Sequence, residues 1–224
     1  MAQRKDPPRR TAEKPLENIL AFLSQAVRNY RNTGAVWPSS TVLARAMTRS
    51  LRRAEGRPKR LLEVGPGTGP FTKYMLQSLR PGDELHIVEI NATFAQRLER
   101  KLLQPYRRAH PNTLVKMYCE PIETATLHGR FDYIVCGLPF NNFRPVVVRS
   151  IFRRLMEMLN EGGELAYFEY AGVRVIKGSV VGEEGRRKLK RLGLVNRALR
   201  RRHKGRREMI WGNVPPAVAV RLTR

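Results

Sequence analysis

The stretch Leu61-Leu62-Glu63-Val64-Gly65-Pro66-Gly67-Thr68-Gly69-Pro70-Phe71-Thr72 constrains this chain more than any other. An apolar run with Glu63 inside it reads as a buried strand that closes in a glycine-rich turn. From Pro70 to Leu79, Phe71, Tyr74, Met75 and Leu79 fall at helical spacing. Strand, glycine turn and helix in that order suit a nucleotide-bearing ligand laid across the ends of parallel strands. The glycines stand at alternate positions, 65, 67 and 69, without the wider second gap of a dinucleotide loop. A dinucleotide loop must bring a helix N-terminus close to a pyrophosphate. The shorter pattern suits a ligand without phosphates whose amino-acid tail lies along the loop. A second run, His86-Ile87-Val88-Glu89-Ile90-Asn91, reads as another buried strand, with Glu89 at its end about twenty residues past Gly69. A carboxylate there is placed to accept hydrogen bonds from both ribose hydroxyls. The competing reading, a purely structural turn with Glu89 a solvated charge, does not account for Glu63, three glycines and Glu89 in one register.

The pattern continues by alternation: strand 60–64, helix 70–79, strand 85–90, helix 92–103, strand 113–118, strand 131–136, helix 145–159 and strand 164–170. Phe94, Leu98 and Leu102 recur at four-residue steps in the second helix, and Asn160-Glu161-Gly162-Gly163 ends the third. Such alternation implies an α/β fold with a mainly parallel sheet and helices on both faces. Residues from Met209 to Leu222 read as two final strands joined through Pro215 and Pro216, which cannot donate to a ladder and so mark a bulge or turn.

Glu63-x-Gly65-x-Gly67-x-Gly69 followed by Glu89 resembles the cofactor half of a class I S-adenosylmethionine-dependent methyltransferase, over about residues 58 to 170. The resemblance implies a Rossmann-like, seven-stranded sheet and S-adenosylmethionine bound by Glu63, Gly65, Gly67, Gly69 and Glu89. Such enzymes carry an acidic residue near the adenine amino group after the third strand, and Glu120 in Cys119-Glu120-Pro121 matches it in place of the commoner aspartate. They place the acceptor against the loop after the fourth strand, here Gly137-Leu138-Pro139-Phe140-Asn141-Asn142. Enzymes that methylate an exocyclic base amine open that loop with Asn or Asp, which accepts from the base amine while an aromatic ring stacks on the flipped base. Gly137 has no side chain to accept anything, and Asn141 and Asn142 are wrongly spaced to replace it.

Ahead of this core, residues 1–14 are basic, proline-bearing and expected to be disordered. Residues 15–57 form a helical appendage. Within it Leu16, Ile19, Leu20, Leu23, Ala26, Val27 and Tyr30 make one apolar face, which packs on the domain or lies in a lipid interface. Ala35-Val36-Trp37-Pro38-Ser39-Ser40 follows, with Ser39 or Ser40 the N-cap of a helix over 41–53 that buries Val42, Leu43, Ala46, Met47 and Leu51. Trp37 is either a core plug or a lid over the methionine end of the cofactor.

The chain has 224 residues, enough for one sizeable α/β domain plus an appendage, and 42% of them are apolar. No apolar run approaches the roughly eighteen residues that span a bilayer, and the N-terminus lacks a secretory core. A cytoplasmic protein is therefore expected. Cys119 and Cys136 read as small core residues, and four scattered histidines offer no metal-ligand spacing. The net charge of +24 predicts a polyanionic partner, either nucleic acid or an anionic membrane surface. Residues 186–207 concentrate it: Arg and Lys without one acid, threaded by Leu189, Leu192, Leu194, Val195 and Leu199 as a basic amphipathic insertion.

Several stretches together resemble the bacterial phospholipid N-methyltransferases, the soluble type that converts phosphatidylethanolamine to phosphatidylcholine. They are Gly34-Ala35-Val36-Trp37-Pro38-Ser39-Ser40, Leu43-Ala44-Arg45-Ala46-Met47, the glycine loop, Gly137-Leu138-Pro139 with Asn142, and Asn213-Val214-Pro215-Pro216-Ala217. The resemblance implies a monomer, peripheral on the inner face of the cytoplasmic membrane through its N-terminal amphipathic helix. It also places Gly137, Leu138 and Pro139 beside the cofactor. Glu169 stands where a neutral residue is expected and Phe140-Asn141 replaces an aliphatic pair, which signals a different amine-bearing lipid such as an ornithine lipid. Methyl transfer to an amine needs a neutral nucleophile and a place for the growing quaternary ammonium. Tyr30, Trp37, Tyr167, Tyr170 and Trp211 are candidate aromatic faces, and Glu169 a candidate to steer the ammonium or take its proton. No metal is required. The rival enzyme reading, rRNA adenine N6-dimethylation, is favoured by charge and disfavoured by Gly137. A third reading, a degenerate fold that only binds RNA or membrane, conflicts with the complete glycine loop.

Overall fold

In the computed structural model the described residues are 38–51, 56–140, 143–170, 183–213 and 216–224. The readings that fall on residues 1–37, including the helix around Tyr30 and the Trp37 loop, lie outside them, as do Asn141 and Asn142.

Two apolar runs form the centre. Strand β1 (Arg60–Val64) and strand β2 (Glu84–Val88) are buried at every position after their first residue, as interior parallel strands covered on both faces must be. They pair in parallel, and β1 pairs on its other side with β4 (Phe131–Cys136). Strand β3 (Leu114–Tyr118) adds beyond β2, and β5 (Leu159–Tyr170) beyond β4, both parallel. Strand β7 (Ala217–Thr223) then pairs antiparallel with β5, and β6 (Arg206–Ile210) pairs antiparallel with β7. The order is β3-β2-β1-β4-β5-β7-β6. It reverses direction between β1 and β4, and a crevice at such a switch point is where open α/β sheets bind ligands.

Helices cover both faces. Helix α1 (Pro38–Met47) and α2 (Pro70–Leu76) share one layer, where Phe71 meets Phe168 of β5 edge-on at 6.0 Å between ring centroids. Helix α5 (Pro145–Glu157) lies on the other, with Phe152 against Tyr167 at 4.8 Å. Between β2 and β3, α3 (Ala92–Leu98) is capped by Asn91, whose Oδ1 accepts from Phe94 N–H at 3.1 Å. It runs through a π-helical turn (Glu99–Leu103) into α4 (Gln104–Ala109). Helix α6 (Glu183–Arg202) is the basic insertion.

Several expectations are corrected. The first described helix opens at Pro38, so Ser39 and Ser40 lie inside it and are not its caps, and it ends at Met47. Leu43, Ala46, Met47 and Leu51 are buried as expected, but Val42 is 47% exposed. Helix 70–79 stops at Leu76, and helix 92–103 extends to Ala109. Asn160-Glu161-Gly162-Gly163 does not separate helix from strand. Leu159 already pairs with Phe131, and five steps on β5 pass against two on β4 before Glu164 meets Tyr133, so the glycines form a bulge. The basic run ends within β6, which starts at Arg206 and not Met209. Cys119 is exposed, whereas Cys136 is buried and its thiol is pushed up to about 12 by that burial.

Candidate active site

At the C-terminal edge of the sheet the strands hand over to loops in a stagger. Gly65 N–H donates to the Val88 carbonyl at 2.9 Å, Glu89 N–H to Tyr118 at 3.0 Å, and Gly137 N–H to Val64 at 2.8 Å. The three loops that follow β1, β2 and β4 are thus fixed to one another by backbone alone.

The glycine loop has three parts with separate physical reasons. Gly65, Gly67 and Gly69 all have positive φ, 67°, 58° and 88°, a conformation that other residues reach only with strain. A Cβ added at 65 would come within 2.5 Å of Leu138 Cδ2, and one at 69 within 2.5 Å of Leu98 Cδ2. Those two glycines let other elements close on the loop. At Gly67 a Cβ would meet nothing within 4 Å. That open face is the cradle. Its N–H points back to Glu89, whose Oε2 accepts it at 3.0 Å while Oε1 accepts from Asn91 N–H at 2.8 Å. Glu89 is buried and its carboxyl is raised, chiefly by burial, with those N–H groups opposing. The carboxylate read from the sequence as a ribose acceptor therefore also ties the glycine loop to β2. Each oxygen keeps a further lone pair for a ligand hydroxyl.

Glu63 is the stronger signal. It lies in the middle of the sheet, fully buried, and neither carboxylate oxygen has a hydrogen-bond partner. Burial pushes its carboxyl up to about 8. The Thr72 hydroxyl and N–H oppose this without reaching hydrogen-bond geometry, and the charge of Glu89 adds to it. An orphaned carboxylate beside a glycine loop asks for a cation. The α-ammonium of an amino-acid tail is a cation of the right kind, so these residues fit S-adenosylmethionine: Glu63 toward the ammonium, Gly67 under the ligand, Glu89 toward the ribose.

The loop after β4 closes the other side. A Cβ at Gly137 would lie 2.5 Å from the Gly65 carbonyl oxygen, so the position admits only glycine while the two loops keep their spacing. Leu138 rests on Gly65, and Phe140 is buried in a cluster with Phe143, Phe152 and Tyr167. Gly137 and Leu138 are brought against the glycine loop, whereas the resemblance set them, with Pro139, beside the cofactor. Glu120 stands half-buried after β3 and accepts from Thr126 N–H at 3.4 Å.

Of the candidate amine-handling residues, Tyr30 and Trp37 lie outside the described residues. Tyr167 is buried in the sheet–helix core, and burial drives its phenol well above the ordinary range. Tyr170 is half-buried, edge-on to Phe168 at 5.2 Å, and Trp211 is 76% exposed. Glu169 is already engaged: its Oε1 accepts from Asn196 Nδ2 at 3.0 Å, Arg200 Nη1 at 3.2 Å and the Tyr167 hydroxyl at 3.4 Å. These contacts tie α6 to β5. Sequence reading missed Asn196 and Arg200, which sit in the basic run and carry no local mark of their role. A cavity lined by Leu51, Arg57, Lys59, Arg80, Asp83 and Tyr133 opens at the opposite end of the strands and takes no part in this site. No group of three or more His, Cys, Asp or Glu among the described residues is arranged to hold a metal.

This fold is that of the Rossmann-like class I methyltransferases. Residues 62–165 match the family model described as a methyltransferase domain. A curated relative, the ornithine lipid N-methyltransferase of Singulisphaera acidiphila, is 24% identical over 150 residues, 66% of this chain and 76% of that protein. Among solved structures, the 1,6-didemethyltoxoflavin-N1-methyltransferase of Burkholderia thailandensis, with its substrate and S-adenosylhomocysteine bound, superposes with a TM-score of 0.65. It is 16% identical, covering 98% of this chain and 93% of that one. The N-methyltransferase NodS of Bradyrhizobium japonicum, with S-adenosylhomocysteine, gives a TM-score of 0.58 at 16% identity over 84% and 88%. The chain is an S-adenosylmethionine-dependent methyltransferase, and S-adenosylmethionine is its cofactor.

Proposed function

We propose that this enzyme methylates the head-group amine of a membrane lipid, phosphatidylethanolamine or an ornithine lipid, at the inner face of the cytoplasmic membrane. The observation that carries the reading is the acceptor loop. Gly137 is locked under the Gly65 carbonyl and presents no acceptor to a base amine, while Leu138 rests on Gly65 and Phe140 anchors the loop in the apolar core. A loop that opens without an acceptor disfavours a flipped adenine, which needs a hydrogen-bond acceptor at its amino group. The ornithine lipid N-methyltransferase likeness supports the same class, as does the basic insertion, which would lie on anionic head groups together with residues 16–30.

The bound cofactor supplies an electrophilic methyl on a sulfonium. The protein's part is to hold that methyl and a neutral amine in line and to keep water out. Glu63 and Glu89 fix the cofactor from below, and the 137–139 loop sets the approach of the amine. Tyr30 and Trp37 are proposed to face the ammonium, whose charge aromatic faces hold well. Glu169, already bound by Arg200, steers it from a distance. The test offers labelled S-adenosylmethionine to the protein with phosphatidylethanolamine in anionic vesicles, ornithine lipid in the same vesicles, and ribosomal subunits. Label in either lipid is expected. Label in RNA alone overturns the reading.

A further inference from the structure

We infer that the strand-C-terminal edge of the domain is itself the docking face for an anionic lipid surface, with Trp211 seated among the lipids and the start of α6 on their head groups. The inference rests on the lipid-amine reading and deepens it, because it states how the site meets a substrate that never leaves the bilayer.

Strand β6 is antiparallel to β7, and β7 to β5, so β6 runs in the same direction as β1 to β5. Its closing turn therefore projects from the edge that carries the glycine loop. Ile210 stands opposite Ala217, Ala217 opposite Tyr170, and Cys136 opposite Tyr167. The turn thus begins three residues beyond the end of β4, about 10 Å further out at the usual rise per strand residue. Trp211 at that point is 76% exposed. Its neighbour Gly212 lies against Val42 of α1, a Cβ there falling 3.8 Å from Val42 Cγ2, and Val42 is 47% exposed. Val146, in the first turn of α5 on the same edge, is 63% exposed.

The basic helix flanks this apolar rim. The His203 carbonyl, just past the end of α6, accepts from Thr223 N–H at the far end of β7, while Asn196 and Arg200 hold Glu169, one residue from the end of β5. The helix therefore climbs toward the catalytic edge as it is followed backward. The thirteen residues 183–195 continue from there for about 20 Å at the helical rise. Arg187, Lys190 and Arg191 are exposed in that stretch, and Leu194 is 56% exposed. Tryptophan prefers the boundary between head groups and acyl chains, and basic residues beside it are drawn to anionic lipids. Single-stranded RNA would also meet the positive charge and could stack on Trp211, but it offers nothing to cover Val42 and Val146.

The test measures binding of the full chain to vesicles by sedimentation, without turnover, and S-adenosylhomocysteine affinity in parallel to establish that each variant is folded. The wild type is expected to bind phosphatidylglycerol-rich vesicles and to bind phosphatidylcholine vesicles weakly. Trp211→Ala should lose about tenfold in vesicle affinity, Trp211→Phe should recover most of it, and K190E with R191E should lose the preference for anionic lipid. Trp211→Ala binding vesicles like the wild type overturns the inference. So does tight wild-type binding to poly(U) that Trp211→Ala abolishes, with no vesicle binding. Label entering lipid despite unchanged Trp211→Ala binding refutes the docking face and leaves the lipid-amine reading standing. Vesicle binding as expected with no label in any lipid amine sustains the docking face and removes that reading.

Discussion

Glu63→Gln takes a titrating group out of a place that water does not reach while keeping its shape. The carboxyl titrates at about 8 in the folded protein against an ordinary 4.5, because burial penalises its charge. Between those values the folded chain holds a proton that the unfolded chain has released. Stability is therefore fully present below about pH 4.5 and falls as pH rises, until it levels off above 8. The slope is 1.36 kcal/mol per unit, so 3.5 units (8 minus 4.5) amount to about 5 kcal/mol. That is a ceiling, since relaxation and water entry soften a buried charge. Glutamine cannot ionise, so the variant should match the wild type within about 1 kcal/mol at pH 5 and exceed it by several kcal/mol at pH 9. All other titrating groups are shared, and the difference isolates this one. S-adenosylhomocysteine should reverse the order at pH 8, because its ammonium pairs with the carboxylate and gains little from an amide. Urea unfolding of both proteins at pH 5, 7 and 9, with and without the ligand, checks this. Parallel stability curves in the absence of ligand would refute the reasoning.

Three further substitutions probe the site's frame. Gly137→Asn should not create a base-amine acceptor: the Cβ collides with the Gly65 carbonyl, so S-adenosylhomocysteine affinity should fall at least tenfold in calorimetry and stability by about 1–3 kcal/mol. Gly67→Ala meets open space and costs only about 1 kcal/mol of backbone strain in urea unfolding, yet it should weaken the cofactor far more than it weakens the fold. Arg200→Ala removes an ionic partner of the buried Glu169 and should cost on the order of 3 kcal/mol, measured by thermal unfolding, with protease sensitivity rising within α6.

The core strands were legible because their signal is local. Leu61 to Val64 and His86 to Val88 are apolar runs ended by a turn, and any parallel interior strand looks like that. The helix after β2 runs past 103, although Pro105 would break an ordinary α-helix interior. A π-helical turn ends just ahead of it, so Pro105 falls in the first turn of a fresh helix that starts at Gln104, where its missing N–H leaves no break. Cys119 and Cys136 look alike in sequence, yet one follows an edge-side strand and is exposed while the other lies between β1 and β5 and is buried. In the site, the glycine loop and its carboxylates were visible from spacing alone. The ties that position them were not. Glu89 on Gly67, Leu138 on Gly65 and Arg200 on Glu169 each join residues more than twenty positions apart, and no short-range pattern records such a meeting.

The contact between Gly65 and Gly137 has a consequence for how such an enzyme changes its chemistry. In the function proposed above, the first residue of the loop after β4 is the natural place to alter what is methylated, but its Cβ would have to occupy the space of a carbonyl in the glycine loop. A lineage could not acquire a side chain there by a single codon change and keep its grip on the cofactor. It would have to move the glycine loop first, passing through a weaker enzyme, or relocate selectivity to other parts of the chain. Diversification of substrate is thus diverted away from 137 toward the segments that rim the same edge.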